Sequence, residues 1–242
     1  METQSSNSND FCFEPFDYDD PKTESSIFQI VKSKEWDNVV PLIISSIQNP
    51  NVARNEHYPF FGLKPNVTFT PRLNVPSEIL EPIHLSELHN FLPYYLQYTN
   101  LKQIFSISKD GCALKTFYYK CEGVTNSLLV IKDDEGNVFG AFVTEQFKMG
   151  KSFYGTGETF LFTFYNGNKA HVYYSTQENE HYMYSDEQQI CFGCSDDYFS
   201  LALENDFYSG YSKKTATFNN LPLNKKDKFV IIKLELWAFE NK

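Results

Sequence analysis

The sequence has little positive charge and no long apolar run. Of its 242 residues, 21 are Lys or Arg and 31 are Asp or Glu, which gives a formal net charge of -10. Binding to nucleic acid depends on clustered Lys and Arg, so this composition argues against a nucleic-acid partner. No apolar stretch comes near the length of a membrane-spanning helix, about 20 residues, and the polar start METQSSNSND does not look like a secretion signal. We therefore expect a cytoplasmic protein without direct membrane insertion.

The cysteines do not form the pattern of a disulfide framework. They are odd in number and unevenly spaced, at positions 12, 112, 121, 191 and 194. Cys191 and Cys194 have the spacing of half a zinc site, with His171 and His181 upstream as candidate nitrogen ligands. A redox dithiol and an inert pair in a turn are two further interpretations of the same spacing. We favour the inert pair, with no metal and no cofactor.

A nucleotide site is also missing, although Gly150-Lys151-Ser152 resembles the end of a phosphate-binding loop. Such a loop needs a glycine where this chain has Glu145, and it needs a helix after the serine. The residues that follow the tripeptide are instead aromatic and β-branched at the spacing of a strand. Gly155 and Gly157 also fail the dinucleotide pattern, because Phe160 stands at the position of its third glycine. We interpret these two glycines as structural.

Aromatic residues are abundant and indicate a β-rich fold. They make up 17% of the chain, with 23 Phe and 16 Tyr, which suits packed sheets better than a helical bundle. Two alternating runs flank a turn at 133–137 and predict a hairpin. Bulky residues on both sides of the run from Phe160 predict a strand that is covered on both faces. The predicted strands cover 104–108, 127–132, 138–145, 160–164, 171–175, 181–184, 199–203 and 229–239, and the predicted helices cover 85–92 and 114–119.

The first part of the chain has a different composition. Residues 1–26 are rich in Ser, Asn and acidic residues, which predicts a disordered acidic tail. Residues 27–71 predict an N-terminal accessory segment that is helical at first and then extended, because prolines interrupt its second part.

Several motifs after residue 72 together resemble the TLDc domain family. They are Ser108-Lys-Asp-Gly111, Leu114-Lys-Thr-Phe-Tyr118, Leu128-Leu-Val-Ile-Lys-Asp133, Val138-Phe-Gly-Ala-Phe142, Tyr154-Gly-Thr-Gly-Glu-Thr-Phe-Leu-Phe162 and Leu236-Trp-Ala-Phe-Glu240. The resemblance covers residues 72–242 and implies an α+β, β-rich fold: a two-sheet antiparallel β-sandwich flanked by short helices. The motif positions that it marks are Gly111, Gly140, Gly155, Gly157, Glu158 and Trp237.

The same resemblance implies a function. Members of the family contribute to oxidative-stress resistance and bind the cytosolic sector of the vacuolar proton-translocating ATPase, and no catalytic reaction is established for them. A cytoplasmic protein partner of that kind would bring this chain to endolysosomal or vacuolar membranes. One departure stands out, because Cys191–Asp197 occupies the place where relatives commonly have a glycine-rich loop. The tryptophan often seen before the strand at Ser108 is also missing.

Glu145 and Glu158 are the candidate site carboxylates. Each abuts a hydrophobic strand, where burial would make it a candidate general acid or base, and paired carboxylates would suit a glycosidase. We favour a structural interpretation, in which Glu158 accepts hydrogen bonds from the backbone of the glycine turn and Glu145 lies in solvent at a strand end. The alternative hypothesis is an enzyme or redox scavenger that uses these carboxylates or the Cys191–Cys194 pair.

Overall fold

The structure is a computed structural model, and it describes residues 69–165 and 168–240. The predicted tail at 1–26 and nearly all of the accessory segment at 27–71 lie outside the described residues. Within the described part of the chain, no helix is both long and apolar enough to cross a membrane.

Over these residues the chain forms ten strands, three α-helices and one turn of 3-10 helix. In chain order they are α1 (Pro82–His89), the 3-10 turn (Tyr94–Leu96), β1 (Asn100–Ser106), α2 (Ile107–Asp110), α3 (Leu114–Lys120), β2 (Ser127–Asp133), β3 (Val138–Val143), β4 (Phe160–Tyr165), β5 (Lys169–Tyr174), β6 (Met183–Ser185), β7 (Gln189–Ser195), β8 (Tyr198–Glu204), β9 (Ser209–Tyr211) and β10 (Lys228–Glu240).

The predicted hairpin of β2 and β3 is confirmed, and Asp133 explains its turn. The Asp133 carboxylate accepts hydrogen bonds from the backbone N–H groups of Glu135 at 3.0 Å and Asn137 at 2.7 Å. It also accepts one from the Asn137 side-chain amide at 2.8 Å. An aspartate that binds the backbone of its own turn in this way fixes the turn and with it the register of the two strands. Leu129 then lies opposite Ala141, and Ile131 opposite Phe139.

The strands are joined in one antiparallel sheet. Its order is β5-β4-β3-β2-β10-β9-β8-β7-β6, and β1 pairs with β10 beside this path. The long strand β10 connects the two halves, because residues 228–230 pair with β9 while residues 231–238 pair with β2. The β-rich antiparallel character and the short helices are therefore as expected. The two sheets that the resemblance implies are here continuous through β10.

Two hydrophobic clusters cover the two faces of the central strands. One contains Leu129 and Leu161 together with Ile190 and Leu201 from the other half of the sheet. The second contains residues of the opposite faces, such as Phe162, packed against the apolar side of α1. The prediction that β4 is covered on both faces is confirmed, because neighbouring residues of this strand belong to different clusters.

The pattern missed two strands, β7 and β9. Cys191 and Cys194 belong to β7, which pairs with β8, so the expected loop at 191–197 is wrong for its first five residues. The residues of β7 are buried along most of its length and do not alternate in polarity, which explains why periodicity did not find this strand. The strand β9 is only three residues long and contains Gly210.

Candidate functional site

Residues 150–154 form a backbone cover along the outer edge of β6. The N–H of Gly150 donates to the carbonyl of Ser185 at 2.8 Å, and Tyr154 and Met183 exchange two backbone hydrogen bonds of 2.9 Å. The hydroxyl groups of Tyr154 and Ser185 are 2.5 Å apart. An unpaired strand edge is otherwise exposed to association with other chains, and this cover protects it. No helix follows Ser152, so the geometry of a phosphate-binding loop is not formed.

The backbone conformation requires a glycine at position 155 but not at position 157. Gly155 has a φ of +97°, and a Cβ added there would lie 3.2 Å from the Met183 side chain. Gly157 does not have a positive φ, and its nearest neighbour would be the Tyr182 hydroxyl at an ordinary 3.4 Å. Only Gly155 therefore needs to be glycine for steric reasons. The backbone at Gly155 agrees with the structural interpretation, and the geometry at Gly157 gives no steric reason for a glycine.

Glu145 and Glu158 both lie at the surface. Glu145 is 3.4 Å from the Lys148 ammonium group, and its side chain is 40% exposed. Glu158 is exposed and accepts a hydrogen bond of 3.3 Å from the Tyr95 hydroxyl. The structure has one cavity beside Asn224 and a groove lined by residues of β8, β9 and β10, and neither Glu145 nor Glu158 lines either of them. Neither of these two cavities therefore brings the two carboxylates together as an acid and a base.

Thr156 holds the glycine turn, although the sequence analysis favours Glu158 as the residue that binds the backbone of this turn. Thr156 Oγ1 accepts the N–H of Glu158 at 3.3 Å, and the Thr156 carbonyl accepts the N–H of Thr159 at 3.0 Å. Thr156 Oγ1 is also 2.7 Å from Thr144 Oγ1. The only side-chain partner described for the Glu158 carboxylate is Tyr95. The Glu158 carboxylate therefore contacts Tyr95 in the 3-10 turn and does not bind the backbone of the glycine turn as expected.

Tyr95, Asn126 and Glu158 are in contact at the surface, and Tyr94 precedes Tyr95 in the 3-10 turn; we call these four residues the tyrosine surface. Tyr94 is 61% exposed and Tyr95 is 56% exposed. The Tyr95 hydroxyl lies 3.3 Å from Asn126 Oδ1 and 3.3 Å from Glu158 Oε2, so one proton serves two acceptors. Partial burial and the nearby Glu158 carboxylate raise the pKa of Tyr95.

The cysteine pair lies in β7 without a disulfide bond. Cys191 is fully buried, and Cys194 is partly exposed. Burial raises the pKa of both thiols, and the charges of Asp186 at Cys191 and of Asp196 at Cys194 raise it further. A reactive or metal-binding cysteine needs the opposite shift, because the thiolate is the reactive form. These environments favour the inert interpretation.

The histidines named with this pair lie in other surroundings. His171 is part of β5, and the ring of His181 stacks on Phe153 with 4.2 Å between ring centroids. Within residues 69–165 and 168–240, no three His, Cys, Asp or Glu side chains come together as a metal site would require.

A family model for the TLDc domain matches residues 73–240. The chain belongs to the TLDc domain family. Oxidation resistance protein 1 of Rattus norvegicus is 40% identical to it over 174 residues, which are 72% of this chain and 20% of the rat protein. The Homo sapiens protein of the same name is 39% identical over 174 residues, with the same two shares of 72% and 20%.

Nuclear receptor coactivator 7 of Mus musculus is a further relative of this TLDc protein. It is 38% identical over 171 residues, which are 70% of this chain and 18% of the mouse protein. The chain thus spans about a fifth of the length of the curated relatives that it matches.

Two further motif positions of this TLDc domain have structural roles. Gly140 lies in β3 against the backbone of Leu129, and a Cβ there would overlap the Leu129 carbonyl oxygen. Gly111 follows the last residue of α2, and its N–H donates to the Ile107 carbonyl at 3.2 Å. The glycine at 140 therefore allows β2 and β3 to pack closely, and Gly111 ends a short helix.

Trp237 is fully buried and reveals a residue that the sequence interpretation missed. Its Nε1–H donates to Glu235 Oε2 at 3.0 Å, and Glu235 is itself 1% exposed. The same carboxylate accepts hydrogen bonds from the Ser77 hydroxyl at 2.5 Å and from the Glu78 backbone N–H at 2.8 Å. The signal for this site was present, because Glu235 interrupts the apolar run of a predicted strand.

Proposed function

We propose that this protein is a non-catalytic TLDc protein that binds the cytosolic sector of the vacuolar proton-translocating ATPase and contributes to oxidative-stress resistance. The names of the relatives support the link to oxidation resistance. The resemblance of the motifs to the family supports the pump as partner. The proposed place of action is the cytoplasm, and the partner would bring the protein to endolysosomal or vacuolar membranes.

The observation that carries the non-catalytic proposal is the placement of the candidate groups. Glu145 and Glu158 are at the surface with Lys148 and Tyr95 as partners, outside the cavities. A catalytic acid or base normally lies in a concave site that excludes water. An enzyme or redox scavenger is the competing proposal, and the raised pKa of the Cys191 thiol weighs against its redox form.

The tyrosine surface is the proposed contact with the partner. Tyrosine is enriched among the residues that contribute most to protein interfaces, because its ring buries a large area and its hydroxyl still binds polar groups. Tyr94 and Tyr95 are neighbours in the chain with more than half of their surface exposed, and Glu158 adds a negative charge beside Tyr95. Tyr94 and Tyr95 lie in the 3-10 turn, and Glu158 lies in the turn before β4.

A binding titration with purified pump sector tests this proposal. The full chain is compared with the double variant Tyr94→Ala/Tyr95→Ala. The control is Tyr119→Ala/Tyr208→Ala, which removes two tyrosines that are at least as exposed, from α3 and from the turn before β9. We expect the first variant to bind at least about tenfold more weakly, because tyrosine is enriched among the interface residues whose truncation costs more than about 1 kcal/mol. The control is expected to bind like the wild type.

Two results would reject the proposal. One is the absence of saturable binding by the wild type at low salt. The other is hydrolysis or peroxide reduction by the purified chain that is lost in Glu158→Gln or Cys191→Ser, which would favour the enzyme or redox scavenger.

We also propose that the two halves of the sheet face each other as the layers of a sandwich. Support comes from the first hydrophobic cluster, which contains Leu129 and Leu161 from one half and Ile190 and Leu201 from the other. Residues from two halves of one sheet share a buried cluster when the sheet folds over on itself.

A further inference from the structure

A cavity of about 340 Å³ opens at the end of the sheet where the β2–β3 turn and the end of β4 meet. Residues from Ile79 to His84 line one side, and residues 223–225 line the other. Thr163 lies in its wall, and its hydroxyl donates to the Leu223 carbonyl at 2.6 Å. The volume is within the range of small-molecule sites in proteins. None of its lining residues belongs to the tyrosine surface.

The charge of the cavity is opposite to that of the whole chain. Its charged lining residues are Lys132, Lys225 and Glu81. Two positive charges and one negative charge give the cavity a net charge of +1, whereas the whole chain has a net charge of -10. Neither lysine makes an ion pair or side-chain hydrogen bond with another residue that the structure describes. Their neighbour Lys226, in contrast, is paired with Glu135. Two ammonium groups at one cavity without carboxylate partners favour an anionic ligand.

Lys132 lies where the pattern of its strand calls for an apolar residue. It follows Leu128 and Val130 on the same face of β2, and both of these are buried in the second hydrophobic cluster under α1. Lys132 itself is half-buried. A lysine that is partly desolvated at the margin of a hydrophobic cluster loses hydration, and a bound anion would compensate for that loss.

Asn224 supplies an independent sign of a missing ligand. It is 7% exposed and lines the cavity, and its Oδ1 is buried without a hydrogen-bond partner. A buried oxygen without a donor destabilises the folded chain relative to a paired one and calls for an explanation. Because the χ2 torsion of asparagine is soft, the amide can turn toward the cavity. A hydroxyl group on a ligand would provide the donor that Oδ1 lacks.

His84 adds a polar wall without adding a positive charge. Its Nδ1 accepts the backbone N–H of Glu81 at 3.2 Å, so the ring proton is on Nε2. The ring packs on Phe164 with 4.3 Å between centroids. One wall of the cavity is therefore flat and partly aromatic, and the cationic groups come from β2 and from the connection between β9 and β10.

We propose that this cavity binds the phosphate monoester of a small hydroxylated compound, such as a polyol or sugar phosphate. A phosphate monoester carries a charge of about -1.5 to -2 at neutral pH, which matches two lysines. Lysine binds phosphate as a point charge, whereas planar carboxylates are typically recognised by arginine, and no arginine lines the cavity. The hydroxyl groups would pair with Asn224. This site is separate from the proposed pump contact and does not depend on it.

Side-chain amide NMR signals of the full chain provide the test. Glycerol phosphate is titrated at constant ionic strength, and glycerol and inorganic phosphate are titrated separately. We expect saturable shifts of the Asn137 and Asn224 signals, with glycerol phosphate binding more tightly than either part, and no shift of the exposed Asn205. Lys132→Gln and Lys225→Gln are each expected to weaken binding about tenfold, because each removes a charge-assisted hydrogen bond.

Lys115→Gln is the matched control, since it removes the same charge from an exposed position on α3. The proposal fails if glycerol phosphate gives no saturable shift, or if Lys115→Gln weakens binding as much as Lys132→Gln does. Neutral vesicles with and without a phosphoinositide that bears a phosphate monoester form a second arm. Co-sedimentation that requires Lys132 would assign the phosphate to a lipid headgroup, and saturable binding of glycerol phosphate alone would assign it to a free compound.

Discussion

Replacing Glu235 by alanine is expected to lower the free energy of unfolding more than any surface substitution in this domain. The carboxylate accepts three hydrogen bonds, from the Ser77 hydroxyl, the Glu78 backbone and the Trp237 indole. Ser77 Oγ in turn accepts the N–H groups of Ile79 at 3.0 Å and Leu80 at 2.7 Å. Glu235 thus connects the segment that precedes α1 to the longest strand of the sheet.

The magnitude follows from the donors that the substitution leaves unpaired. Trp237 is 0% exposed, so its indole N–H cannot turn to water. A buried donor without a partner costs about 1–3 kcal/mol, and the Glu78 N–H is partly buried as well. We therefore expect Glu235→Ala to lose about 3–5 kcal/mol of stability, and Glu235→Gln about 1–3 kcal/mol, because an amide keeps one acceptor oxygen.

Urea unfolding followed by far-UV circular dichroism measures these losses, provided that the slope with denaturant is unchanged. Glu240→Ala is the matched control, because Glu240 lies on the same strand and is exposed, and it should change stability by less than about 0.5 kcal/mol. If Glu235→Ala were as stable as Glu240→Ala, the three hydrogen bonds would not hold the segment to the sheet.

Three further predictions concern the glycine turn and the buried thiols. Gly155→Ala should lower the free energy of unfolding by about 1–3 kcal/mol, because only glycine readily adopts the φ of this position, whereas Gly157→Ala should lower it by less than about 0.5 kcal/mol. Equal losses for the two variants in thermal unfolding would contradict the different roles of the two glycines. In the folded protein at mildly alkaline pH, iodoacetamide should modify the exposed Cys112 and leave Cys121 and Cys191 unmodified, because burial raises the pKa of these two thiols. Mass spectrometry would identify the modified cysteines. The free energy of unfolding should fall as pH rises above about 8.5, by about 1.4 kcal/mol per pH unit for each protected thiol, because the unfolded chain then binds fewer protons than the folded one. Substituting Cys121 and Cys191 by alanine should flatten this pH profile, and an unchanged slope would refute the cause.

The hairpin and β4 were predictable because their signals are local. Alternating residues and a turn with Asp133 lie within a short stretch, and the hydrogen bonds of that turn connect residues two to four positions apart. The strand β7 was not predictable by the same means, because buried residues on both faces remove the alternation. Its two cysteines also have a spacing that is shared by metal sites, and this directed attention to the wrong chemistry.

The sites depend on contacts that local patterns do not contain. Glu235 and Ser77 are 158 positions apart, and the cavity combines four separate stretches of chain. Spacing alone could not decide which glycine of the turn has a positive φ. It also could not show that Glu158 contacts Tyr95, 63 positions away, instead of its own turn. A charged residue in a predicted buried strand, such as Glu235 or Lys132, is the signal that would have found both sites.

Hydrogen exchange of the full chain with and without purified pump sector tests the central proposal most directly. We predict slower exchange at residues 94–98 and 156–159 in the complex, because the tyrosine surface would be covered there. The segment at α3, which carries the exposed Tyr119, should exchange at the same rate in both states. Unchanged exchange at 94–98 and 156–159 with saturating pump sector, or protection that appears only at α3, would contradict the proposed contact.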